Sequence, residues 1–168
     1  MVEKDVLIVE KMATSGIFDF SGFYSYAHSW FINENYAVYE LRYSEKVSGN
    51  SRDIIIEWVA IKRYSDYFKF EIGLEFKIKD LNDVEVEIDG KKKKSNKGNI
   101  DIEIKGVLVK DPDSRWDLSP FSRFMRDVYN KYIVPSRIDQ VKDLLIADAK
   151  KFKEETKAYF DLVGKTKF

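Results

Sequence analysis

Between residues 68 and 79 the side chains alternate without a break. Phe68, Phe70, Ile72, Leu74, Phe76 and Ile78 interleave with Lys69, Glu71, Gly73, Glu75, Lys77 and Lys79. Successive side chains of a β-strand point to opposite faces, so this period of two gives a sheet with one apolar face and one charged face. A chain carrying such a strand must also supply something to cover the apolar face. Alternating strands recur from about Tyr36 to Val109, and helical patterns lie on either side of them.

Val6 to Glu10 reads as a first strand, so uniformly apolar that cover on both faces is expected. Thr14-Ser15-Gly16 is expected to break it. Asp19 or Ser21 can cap a helix through about Asn33, with Phe20, Phe23, Tyr24, Ala27 and Phe31 as its apolar stripe. Strands are then expected at Ala37–Tyr43, at Ile54–Ile61 (apolar on both faces, hence central), at 67–79 and, after Leu81-Asn82-Asp83, separately at Val84–Ile88. Asp89-Gly90 opens a basic loop, Lys91 to Lys97, and Ile100, Ile102 and Ile104 mark the last strand.

Asp111-Pro112-Asp113 stops the sheet, and Ser119-Pro120 starts a helix with Phe121, Phe124, Met125, Val128 and Tyr132 on one side. Pro135 interrupts it, and Ser136 caps a final helix to about Leu162, roughly 40 Å long. The apolar positions of that helix (Ile138, Val141, Leu145, Phe152, Tyr159) thin out where Lys150, Lys151, Lys153, Glu154 and Glu155 crowd in. Its end is therefore expected to project or to meet a partner.

The fold class these elements predict is α+β. An antiparallel meander sheet of five to six strands has one face covered by the early helix and the C-terminal helices. A single domain is expected over 1–168, with sheet and early helix in about 1–110 and the helical part in about 119–163. The order strand, helix, meander, long terminal helix resembles that of helix-grip folds, which hold apolar ligands. That resemblance implies a ligand carried between sheet and long helix, although helix-grip proteins commonly have two early helices.

The 168 residues are 44% hydrophobic and 15% aromatic, enough for a core. Lys and Arg number 29, as do Asp and Glu, so a surface that grips nucleic acid everywhere is not expected. Without cysteine there can be no disulfide, thiolate nucleophile or cysteine-ligated metal, and His28 is the single histidine. Met1-Val2-Glu3-Lys4-Asp5 lacks the features of a signal peptide, and Val6–Val9 is far shorter than the about 20 apolar residues of a membrane span. A soluble, cytoplasmic protein is expected. The Lys, Glu and Ile bias is that of proteins from hot environments, and also of AT-rich genomes.

His28 lies one turn from Tyr24 and Phe31 with no visible partner for catalysis, and a partly buried structural role is expected. Asp111, Asp113 and Asp117 surround Arg115 and Trp116, but Asp-Pro-Asp-Ser is ordinary turn chemistry, and neither a metal nor a cofactor is expected. Lys91, Lys92, Lys93, Lys94 and Lys97 can contact phosphates if they crown a hairpin tip. Arginines alternate with aromatic residues from Arg115 to Arg137, the composition of protein hot spots and of RNA stacking surfaces. Arg123, Arg126, Tyr129 and Arg137 are the candidate partner-binding residues.

No phosphate loop, nucleophile elbow, zinc-protease motif or dinucleotide fingerprint is present. The leading expectation is a non-catalytic interaction module that binds a protein partner, or itself, through its C-terminal helices. The alternatives are RNA or ribonucleoprotein binding through Lys91–Lys97 with Arg123 and Arg126, and carriage of a small apolar ligand.

Overall fold

The structure, a computed structural model, describes residues 2–110, 120–128 and 135–164. Five strands and three helices follow in the order β1 (Glu3–Phe18), α1 (Phe20–Asn33), β2 (Ala37–Ser48), β3 (Ser51–Arg63), β4 (Phe68–Ile88), β5 (Lys91–Lys110), α2 (Pro120–Val128) and α3 (Pro135–Gly164). The strands form one antiparallel sheet of order β1-β5-β4-β3-β2: a meander from β2 to β5, with the first strand added beside the last.

The alternation of β4 does what its period dictates. Phe68, Phe70, Ile72, Leu74, Phe76 and Ile78 are all buried. Their partners in register complete the apolar face: Ile56 and Ile102 flank Phe76, and Trp58 and Ile104 flank Leu74. α1 and α3 lie on that face. α3 runs over β1 and β5, and α1 sits towards β2. Phe23 of α1 meets Phe76 edge-on at 5.5 Å, and Phe160 of α3 meets Phe18 and Phe23 at 5.6 and 5.0 Å. Gly106 allows this close approach, since a Cβ there would lie 2.8 Å from Cγ2 of Ile8 and 3.7 Å from Cγ of Leu145.

Five expectations are corrected. β1 does not stop at Glu10. It pairs with β5 in unbroken register through Thr14-Ser15-Gly16 as far as Phe18, with Gly16 at φ 130°. Nor is it covered on both faces, because it is an edge strand with Val6 54% and Val9 48% exposed.

The strands expected at 67–79 and Val84–Ile88 are one strand. A bulge between Lys79 and Asn82, with Asp80 at φ 52°, interrupts the alternation without ending the pairing. The basic loop is likewise a strand. The turn is confined to Asp89 and Gly90, both at positive φ, and Lys91 already pairs with Ile88.

The largest correction concerns α3, whose end does not project. Ile138, Val141, Leu145, Ala149, Phe152, Thr156 and Phe160 are buried at spacings of three and four, which is one face of a helix. Three of the charges that seemed to dilute this stripe, Lys151, Lys153 and Glu155, have partners on neighbouring elements. Lys153 pairs with Glu10 at 2.8 Å, Lys151 with Glu34 at 2.9 Å, and the Tyr36 hydroxyl donates to Asp148 at 2.7 Å. The Trp30 indole N–H donates to Glu155.

Phe152 is fully buried between Trp30 (5.1 Å) and Phe31 (4.7 Å). Phe152→Ala should therefore lower unfolding free energy by about 3–5 kcal/mol in urea melts. Leu162→Ala, at a site 72% exposed, should stay within about 0.5 kcal/mol. Equal effects at the two positions would contradict the docking of α3 described here.

Candidate functional site

The residues expected to act divide by what the fold does with them. Tyr129, Asp111, Asp113, Arg115, Trp116 and Asp117 lie outside the described residues. For Arg123 and Arg126 the backbone alone is described, in α2, and Arg137 is exposed in the first turn of α3. His28 is exposed on α1 rather than partly buried, with its ring 6.0 Å from that of Trp58.

The lysines of the expected basic loop stand in register against β4. Lys94 lies opposite Glu85 and Lys92 opposite Glu87, while Lys93 and Lys91 oppose Val86 and Ile88. Opposite charges facing each other across a ladder attract, so Glu85 and Glu87 weaken the local positive field of the run. Among the described residues no group of acidic and histidine side chains is placed to hold a metal ion.

Three regions carry unusual surface chemistry. The first is α2. Phe121, Phe124, Met125 and Val128 fall at the i, i+3, i+4, i+7 positions of one helix face. Phe121 is 71% exposed, Phe124 62% and Met125 38%. Apolar groups of that size are normally covered, and α3 shows how completely this fold covers a stripe it uses for itself.

The second is the polar corner between α1 and β2. The Tyr24 hydroxyl donates to Glu40, and the Trp58 indole N–H reaches the same carboxylate oxygen at 3.2 Å. Burial, reinforced by the Glu40 hydrogen bond and charge, pushes the Tyr24 phenol up to about 12.

The third is the arm formed by residues 82–97 of β4 and β5, beyond the bulge. Asn96 ties the arm to the start of α1. Its Oδ1 accepts from the Phe20 amide at 3.0 Å and its Nδ2 donates to Asp83 at 2.8 Å. Asp19, the residue before α1, makes no side-chain capping bond, so the first-turn amide is satisfied from β5 instead. Under the arm lies a recess of about 210 Å³ lined by Ile17, Asp19, Val86, Lys93, Tyr159 and Val163, among others. Residues from three separate parts of the chain build it, so no local motif announces it.

The space in which a helix-grip reading places its ligand, between sheet and long helix, is occupied by the rings of Phe23, Phe31, Phe76, Phe152 and Phe160. No protein-family model, curated protein or solved structure matches this chain. Among the described residues no helix is long and apolar enough to cross a membrane.

Two measurements check these placements. Asn96→Ala leaves the Phe20 amide without its acceptor and should cost about 1–3 kcal/mol in urea unfolding. An effect near zero would show that Asn96 does not hold the arm to α1.

For Tyr24 the fold favours the neutral phenol, which in an unfolded chain ionises near about pH 10. Its contribution is therefore complete below about pH 10 and is lost as pH rises towards about 12. The stability gap between the native chain and Tyr24→Phe should narrow over that range. A gap that widens with rising pH would refute the assignment.

Proposed function

We propose that this chain is a non-catalytic interaction module that captures a protein partner through its C-terminal helical part, with the outward face of α2 as the contacting element. The supporting observation is the contrast between two amphipathic helices of one chain. The stripe of α3 is consumed in the core, from Ile138 to Phe160, whereas that of α2 presents Phe121, Phe124 and Met125 to solvent. Exposed aromatic residues beside Arg123 and Arg126 have the composition of a hot spot, in which a few large side chains carry most of the binding energy. RNA binding through Lys91–Lys97 has weaker support, because Lys92 and Lys94 face Glu87 and Glu85.

Removing residues 137–168 is no test of this reading, since it would strip Val141, Leu145 and Phe152 from the core. Point substitution separates the two roles. Phe121→Ser combined with Phe124→Ser should reduce capture of the partner, or self-association in sedimentation, at least about tenfold. The thermal midpoint should stay close to that of the native chain. Capture that persists undiminished in the double variant would end the proposal.

A further inference from the structure

The recess under the β4–β5 arm has a chemistry that the proposed docking through α2 does not use. Its walls come from the end of β1 and the residue before α1 (Ile17, Asp19), from the arm (Val86, Ile88, Lys93, Lys94, Ser95) and from the last turns of α3 (Tyr159, Val163). Val86 and Lys93 are direct cross-strand partners, so an apolar and a cationic side chain stand side by side on one strand pair. Asp19 supplies the opposite charge from a different element.

Among the described residues neither the Asp19 carboxylate nor the Lys93 ammonium makes an ion pair, and Asp19 makes no capping bond to α1. Lys93 shares the Val86 side of the strand pair and Lys94 the Glu85 side, so the recess offers one anion, one cation and an apolar wall, with both charged residues exposed. At about 210 Å³ it is smaller than typical drug-sized sites of roughly 300–1,000 Å³ and suits a molecule of amino-acid size.

We infer that this recess binds a free apolar α-amino acid, whose carboxylate meets Lys93, whose ammonium meets Asp19 and whose side chain lies against Ile17, Val86, Ile88 and Val163. A simple fatty carboxylate would use Lys93 alone, and a simple amine Asp19 alone. A ligand carrying both charges answers the two walls at once. The same requirement separates a free amino acid from a peptide terminus, which has lost one of the two charges.

Isothermal titration of the full chain with L-leucine and L-phenylalanine tests the inference, with N-acetyl-leucine, leucinamide and isovalerate as comparison ligands. Saturable binding of at least one amino acid is expected, and all three comparison ligands should bind at least about tenfold more weakly. Lys93→Met and Asp19→Asn should each weaken the amino acid by a similar factor. Among the described residues neither side chain makes an ion pair, so both variants should keep the native thermal midpoint. Ile88→Trp, which fills the recess without touching its charges, should abolish binding.

Absence of saturable binding by both amino acids overturns the inference. So does isovalerate or leucinamide binding within about twofold of leucine, or affinity retained in all three variants. None of these outcomes bears on capture through α2, whose residues are not altered.

Discussion

Everything in this molecule rests on the burial of one long helical stripe against one face of a sheet. A five-stranded sheet with strands as long as β4 presents more apolar surface than α1 can cover, since 14 helical residues reach only about 21 Å. α3, at 30 residues and about 45 Å, supplies the remainder. Phe152 and Phe160 join the two helices to each other as well as to the strands, so the covering layer is a unit rather than two separate lids. Ion pairs from Lys151 and Lys153 hold its polar margins to Glu34 and Glu10 on either side.

The length mismatch between strands and helices also explains where the unusual surface lies. β4 and β5 run about 20 residues each, roughly 65 Å if fully extended, and so outreach the helical layer. Beyond the bulge at Lys79–Asn82 the surplus continues as a paired arm, and Asn96 ties that arm to the first turn of α1. The recess is what remains between the arm and the last turns of α3.

Much of the architecture was legible in the sequence because hydrophobic periodicity reports burial directly. The apolar face at Phe68–Ile78, the stripe of α1 and the proline start of α2 all follow from local spacing. What was not legible depended on partners distant in the chain. Asp80 at positive φ and the bulge beside it look like the end of a strand when only neighbours are considered, yet the ladder to β5 continues past them. Four successive lysines look like a loop until Glu85 and Glu87 are found across the ladder. The last turns of α3 look too charged to be buried until Lys153 is set beside Glu10, 143 positions earlier. The recess joins residues 17–19, 86–95 and 159–163, and no single segment carries its signature.

At its two margins the sheet is kinked. β1 slips register at Leu7 and β2 at Leu41, each within the outermost strand. A neighbouring backbone would need an unbroken comb of amides and carbonyls to zip onto such a border, and each kink removes teeth from it. Growth into endless ribbons by edge-to-edge pairing is therefore discouraged at both borders.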